Sequence, residues 1–171
     1  NKNKEAYQMK QLTFRKESYA WAWLFMLATT NIDNPLTELD VFSRQYALDN
    51  QTKSDIPVLM GVLNQDIENW THEDMYKYGL DVGLQANAIF VSRGMFDFSW
   101  KLNNLYQTLP IKTRNDLAIN GSDIMTTLRI KPGKHIGELL TKAEKAVLNG
   151  HLPNTKASLL EFVDYSYGTG Y

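Results

Sequence analysis

Residues that start or stop helices recur at short intervals along this chain: Asn34-Pro35, Thr71 with Asp74, Pro110, Gly121-Ser122, Pro132-Gly133, Gly150 and Asn154. Between them apolar residues return at helical spacing. No stretch alternates apolar with polar side chains beyond a few positions, so a strand would have no face to bury. The expected fold is all-α, an irregular helical body followed by a smaller basic tail subdomain of short helices. At 171 residues the chain can bury a core without covalent staples, and the lack of cysteine rules out disulfides and thiolate metal sites.

Taken in order, residues 1–17 are polar and basic and read as a linker or the end of a longer helix. Ser18 is expected to cap a helix carrying Trp21, Leu24, Phe25 and Ala28, apolar around most of its circumference. Asn34 and Pro35 open the next helix, because the Asn side chain accepts a free backbone N–H while proline occupies a position whose donor would go unused. Leu36, Leu39, Phe42 and Tyr46 mark its inner face. A third helix is expected over 54–68, with Pro57 tolerable only in the first turn or at a kink, and with Val58, Leu59, Val62, Leu63 and Ile67 inside. Thr71 and Asp74 have cap-and-return spacing for a helix with Met75, Tyr76 and Leu80. Short helices over 84–92 and 95–107 follow, the second carrying Phe96, Trp100, Leu102 and Leu105.

After Pro110 the elements shorten. The pattern predicts a turn of helix at 115–119, Gly121 as a left-handed stop and Ser122 capping 123–128. A helix then runs from Pro132-Gly133 to about 149, stopped by Gly150, and Asn154 caps a last helix through 163 before a frayed glycine-rich end. The predicted organisation is a linker over 1–17, a helical body over 18–108 and a tail over 109–171.

Charge divides along the same line. Residues 101–156 hold nine Lys and Arg against four acids, a local +5 on a chain whose total is −1, whereas residues 32–81 hold ten acids and three bases. A basic half beside an acidic half points to a polyanion partner on one side. On a helix opening at Gly133, 100° per residue brings Lys134, Glu138, Lys142 and Lys145 within roughly 80° of one another, opposite Ile136, Leu139, Leu140, Ala143 and Val147. At its start Gly133, Lys134 and His135 offer unpaired backbone N–H groups and the positive end of the helix dipole, which suit a phosphate. Taken alone this face reads as solvated surface, since Glu138 lies four residues from both Lys134 and Lys142. Lys112 and Arg114 flanking a turn, with Arg129 and Lys131 just before the helix, shift the reading toward a phosphate-tracking strip.

Catalytic signatures do not accompany the basic ones. His72, His135 and His151 lack metal-ligand spacing and are expected to be structural or solvated. There is no Gly-x-x-x-x-Gly-Lys loop, and Gly121-Ser122 is not followed by an Asp-x-Asp pair that could hold magnesium. No self-contained active site is expected. Trp21, Trp23, Trp70 and Trp100 read as core rather than as base-stacking platforms. The longest apolar run, WAWLFML, is far short of the roughly 20 residues of a membrane span, and no cationic-then-apolar leader opens the chain, so a soluble chain is expected. Because the first residue is Asn1 rather than Met, a fragment or processed product is also expected.

The motifs Leu109-Pro110-Ile111-Lys112-Thr113-Arg114, Leu117-Ala118-x-Asn120-Gly121-x-Asp123, Lys131-Pro132-x-x-x-Ile136-Gly137 and Ala146-Val147-x-Asn149-Gly150, with Asn154 beyond, resemble the C-terminal end of bacterial tRNA nucleotidyltransferases. These are the CCA-adding enzymes of the class with head, neck, body and tail. Trp23-Leu24 through Phe42-Ser43-Arg44 and Asn50 looks like the body of the same family. The resemblance implies that chemistry belongs to a head with a Gly-Ser or Gly-Gly turn and two metal-binding aspartates, and nucleotide choice to a neck with a Glu-Asp and Arg motif. Neither is found here, and Glu73-Asp74 lacks the arginine-rich helix that should follow.

On that resemblance the chain is body and tail, holding the acceptor stem and elbow of tRNA for a head that adds nucleotides to the 3′ end. It implies tRNA and the protein's own N-terminal head and neck as partners, a cytoplasmic setting and no membrane. No cofactor is expected in this chain; magnesium with CTP and ATP belongs to the full-length enzyme, and the isolated chain should be inert. Duplex RNA is recognised by shape, phosphates and 2′-hydroxyls, so Lys112, Arg114, Lys131, Lys134 and Lys145 are expected on the tRNA backbone, together with Gly133, His135 and Lys142. Two other readings stay open. One is a helix-hairpin-helix type nucleic-acid module of another enzyme, built on LAING and KPGKHIG. The other is a protein-interaction or homodimerisation domain using the acidic helices over 33–81 and exposed aromatics.

Overall fold

The computed structural model describes residues 12–29 and 35–169. Among these the regular structure is entirely helical, nine α-helices and two 3-10 helices with no strand. They fall into two compact units, one of Asn1–Trp70 with Tyr78–Asn104 and one of Thr71–Lys77 with Leu105–Tyr171. Of the linker or helix end expected over residues 1–17, residues 12–16 are not helical and the first eleven lie outside the described residues, as do the Asn34 cap and the last two residues of the glycine-rich end.

In the first unit, α1 (Glu17–Ala28) packs on α3 (Asn50–Leu63), and α3 on α5 (Leu80–Ser92). The α1 helix is not capped by Ser18. Lys16 holds the cap position without a side-chain bond, and the buried Ser18 Oγ donates to Asp55 Oδ2 at 2.7 Å. Nor is α1 buried on most sides, since Leu24 and Leu27 are exposed. Rings join it to α2 (Pro35–Gln45): Phe25 and Phe42 lie 5.1 Å apart edge to face, and Trp21 is 5.4 Å from the exposed Tyr46.

The third helix starts four residues earlier than the pattern predicts because Asp49 caps it, accepting the Thr52 N–H at 2.7 Å. Pro57 therefore sits in the interior of α3, and Val58 faces solvent. Ile67 belongs to a separate 3-10 turn, Ile67–Asn69. Ahead of α5, Gly79 adopts φ +84°, and within α5 an added Cβ on Gly83 would come 2.8 Å from the Trp70 ring. The acceptor groups of α5 hold the incoming chain: Gln85 Oε1 accepts the Arg15 N–H at 2.8 Å, and Asp81 pairs with Arg15 at 2.8 Å. The helix α6 (Ser99–Gln107) begins four residues later than expected, after Asp97 Oδ1 accepts the Ser99 N–H. Trp100, expected in the core, is 70% exposed, and Phe96 is 84% exposed.

The second unit contains α4 (His72–Tyr78), a 3-10 turn at Arg114–Asp116, α7 (Gly121–Leu128), α8 (Lys134–Leu148) and α9 (Lys156–Gly168). Thr71 and Asp74 cap α4 reciprocally, with the Thr71 N–H and hydroxyl both donating to Asp74 Oδ2. Two expected caps shift by one or two residues. Asn120 caps α7 by accepting the Ser122 and Asp123 N–H groups, so Ser122 is not the cap and Gly121 is the first helical residue rather than a left-handed stop. Thr155 rather than Asn154 caps α9, accepting from the Ser158 N–H. The turn expected at 115–119 is the 3-10 element at Arg114–Asp116, closed by a Thr113/Asp116 capping box.

These helices enclose one apolar cluster: Ile111, Leu117, Ile119, Ile124, Ile136, Leu139, Ala143, Val147, Leu148, Leu159 and Val163. Burying each Ile, Leu or Val contributes about 1.5–3 kcal/mol, against about 0–1 for an exposed ion pair. Apolar burial, not charge, therefore holds this unit together and leaves its surface cations available for other work.

Candidate nucleic-acid interface

The amphipathic helix α8 organises the site. Ile136, Leu139, Ala143 and Val147 turn into the core, which leaves Lys134, Lys142 and Lys145 on the solvent side. The connection from α7 brings two more cations. Arg129 ends α7 in a left-handed backbone (φ 55°), and the Ile130 N–H closes the turn onto the Met125 carbonyl at 3.2 Å. Lys131 is exposed two residues later. Among the described residues neither Arg129 nor Lys131 has an ion-pair partner.

The expected phosphate ligands differ in how firmly they are held. Lys134 lies 3.5 Å from Glu138 and Lys145 3.8 Å from Glu73, both well exposed, and such loose surface pairs are worth about 0–1 kcal/mol. A phosphate can displace them. Lys112 is exposed, its ammonium 4.7 Å from the centre of the Tyr106 ring. Lys142 is exposed on the same helix.

Arg114 is differently placed. Its Nη2 donates to Glu144 Oε2 at 2.7 Å and to Thr141 Oγ1 at 2.9 Å, while Nε donates to Glu144 Oε1 at 3.3 Å. The Glu144 carboxylate is buried and also accepts the Tyr76 hydroxyl. Burial pushes the Glu144 carboxyl up, but the hydrogen bonds from Arg114 and Tyr76 outweigh it and hold the group below its ordinary value. Burial and the same bond to Glu144 push the Tyr76 phenol up to about 12. The outer half of Arg114 nevertheless stays open and, with Lys134, Gly137, Glu138 and Thr141, lines a shallow groove of about 450 Å³.

At the helix start, Gly133 holds the cap position with no side-chain cap, so the first amides of α8 have no capping acceptor. His135 does not reach outward. Its ring folds over Gly133, so that an added Cβ there would lie 2.6 Å from Cε1, and it approaches the Tyr167 ring at 6.4 Å. Its Nε2 is buried without a hydrogen-bond partner. The imidazole thus packs against the helix start instead of offering a ring nitrogen to a ligand.

Glu144 and Tyr76 escaped the sequence reading. Glu144 follows Leu140 by four residues and precedes Val147 by three, so it borders the apolar face of α8. A carboxylate at such a position calls for a buried cation or donor, and that signal was available.

No group of three or more His, Asp and Glu side chains that could hold a metal occurs among the described residues, and no helix of the described chain is long and apolar enough to cross a membrane. Residues 12–163 match the family model of tRNA nucleotidyltransferase domain 2. A CCA-adding enzyme of Ligilactobacillus salivarius (strain UCC118) is 40% identical over 89 residues, covering 52% of this chain and 22% of that protein. One of Bacillus cereus (strain AH187) is 28% identical over 163 residues, covering 93% of this chain and 40% of that protein. The chain thus spans well under half the length of these relatives. The crystal structure of the Bacillus stearothermophilus CCA-adding enzyme in complex with CTP shares the fold, with a TM-score of 0.78 at 24% identity over 91% of this chain and 39% of that one.

Proposed function

Because this chain belongs to the tRNA nucleotidyltransferase domain 2 family, we propose that it holds tRNA for a CCA-adding reaction carried out by a head domain beyond its own residues. The relatives it matches are CCA-adding enzymes. The observation that carries the reading is the exposed basic strip of the second unit, in which Arg129 and Lys131 lead into α8 with Lys134, Lys142 and Lys145 on its open side. Such a strip on short rigid helices fits the phosphates of double-helical RNA, where shape and backbone, not base edges, are read. On this reading the acceptor stem and elbow lie along α8, with Lys112, Lys131, Lys134 and Lys145 on phosphates and the Gly133 turn presenting its amides. Arg114 lines the same surface while tied to Glu144. The head and neck of the same protein supply the magnesium site and bind CTP and ATP.

The test is tRNA binding measured at two salt concentrations fourfold apart, with duplex DNA as competitor. Four or five displaced counterions predict a loss of about two to three orders of magnitude in affinity. Salt-insensitive binding, no binding, or equal competition by DNA would count against the proposal. The isolated chain, given tRNA lacking its 3′ end with CTP, ATP and magnesium, should extend nothing.

A protein-contact reading draws on one observation, the exposure of Phe96 and Trp100 in the first unit. Sedimentation showing a stable oligomer without RNA affinity would favour it.

A further inference from the structure

Gly137 is the fourth residue of α8, a helix-interior position where glycine is less stable than alanine. Packing does not require it. An added Cβ at Gly137 would meet nothing within 4 Å, unlike Gly133 against the His135 ring or Gly83 against the Trp70 ring. What the missing side chain leaves is the open floor of the groove between Arg114 and Lys134. One wall is fixed, because Arg114 Nη2 donates to Thr141 Oγ1 and that hydroxyl donates to the Gly137 carbonyl, each at 2.9 Å. The other wall carries Glu138, its carboxylate 3.5 Å from Lys134 Nζ.

The groove is therefore lined by two cations, by a carboxylate beside one of them and by the helix at Gly137, which carries no side chain. A phosphate centred over Gly137 would be repelled by the Glu138 carboxylate. A ribose would not. Its 2′-hydroxyl is a donor that a carboxylate accepts, and its flanking phosphates would point toward Arg114 and Lys134. We propose that the groove over Gly137 is a ribose subsite for an RNA strand, in which Glu138 accepts a 2′-hydroxyl and the absent Cβ permits the close approach. This rests on the tRNA-holding reading and adds to it a means of telling RNA from DNA at one nucleotide.

The experiment compares binding of the protein to an A-form RNA hairpin with binding to the same hairpin carrying 2′-fluoro sugars, which keep the helix form but cannot donate. The parent protein should prefer the hydroxyl hairpin by about fivefold, the factor one hydrogen bond is worth in an equilibrium. Gly137→Ala and Glu138→Ala should each bring that preference close to unity, and Gly137→Ala should melt no lower than parent. Lys131→Glu should weaken both hairpins equally and leave the preference intact. If Gly137→Ala and Glu138→Ala keep the parental preference, or if the parent binds both hairpins alike, the ribose subsite is wrong while the tRNA-holding reading stands. A parent that binds neither hairpin overturns both.

Discussion

Arg114 Nη2 lies 2.7 Å from Glu144 Oε2, and the carboxylate it holds is 8% exposed while the arginine side chain is 48% exposed. The two ends of this pair do different work. The buried end, with Tyr76 as second donor, ties α4 and the Arg114–Asp116 turn to α8 inside the second unit. The open end forms part of a groove wall.

Truncating Arg114 should therefore be read first as a stability change. Breaking a fully buried pair costs about 3–5 kcal/mol, and solvent at the arginine end reduces that to roughly 2 kcal/mol for Arg114→Ala. Lys131→Ala, at an exposed site, should stay within about 0.5 kcal/mol of parent. Denaturant unfolding of the two variants measures the difference. Equal stabilities would remove the anchoring role from Arg114.

The carboxylates of the second unit set a pH dependence whose sign follows from their surroundings. Asp116 is held low by the Lys112 and Thr113 N–H groups, Asp123 by Lys156 and the Asn120 N–H, and Glu144 by Arg114 and Tyr76 against its burial. Groups with lowered folded-state values stabilise the fold in full above their unfolded values, 3.8 for Asp and 4.5 for Glu, and that contribution is lost as pH falls through the folded ones. Tyr76, raised from 10.0 to about 12, acts oppositely, its contribution present below 10 and lost between 10 and about 12. Unfolding midpoints should thus fall on acidification below about pH 5 and again above about pH 10. Asp116→Asn should flatten the acid limb.

The sequence pattern places a helix cap at Asn154, but this residue spans between two segments. Its Oδ1 accepts the Ala118 N–H at 2.9 Å and its Nδ2 donates to the Asp116 carbonyl at 2.7 Å, so it ties the loop before α9 to the chain leaving the 3-10 turn. Asn154→Ala orphans a partly buried amide and should cost about 1–3 kcal/mol. Thr155→Ala, which removes the actual cap of α9, should cost about 1 kcal/mol. Asn154→Asp should rescue only part of the loss, since it keeps the acceptor and removes the donor. Thermal melts of the three variants give the comparison.

What the sequence made legible follows from what was local. The Thr71/Asp74 box, the Gly150 stop and the inner face of α8 depend on spacings within one element, and they stand as read. Asn120 and Thr155 took caps assigned to neighbours because several polar residues stand side by side and packing chooses among them. Trp100 and Phe96 are apolar at helical spacing yet face outward, and pattern alone gives no means of seeing whether a neighbour covers a ring. The charge excess was visible in composition, but composition could not show that Arg114 meets a buried acid 30 residues on while Lys131 meets none.

That difference sorts the cations into those a polyanion can use at no cost and those it must win from a carboxylate. Arg129 sits at φ 55°, where a side-chain-bearing residue costs about 1–2 kcal/mol and glycine little. An arginine at a position that favours glycine costs some stability, and it places a cation without an ion-pair partner among the described residues at the start of the basic loop. Arg129→Gly should leave the melting temperature equal or higher and lower tRNA affinity, with the slope of log affinity against log salt reduced by about one contact. Lys131→Gln should reduce that slope similarly without touching stability. Lys156, 2.6 Å from Asp123, is the contrasting case: Lys156→Gln should lower stability and leave the salt slope where it was. If all three variants shift the slope alike, partner status does not decide which cations meet RNA, and the strip acts only through its summed charge.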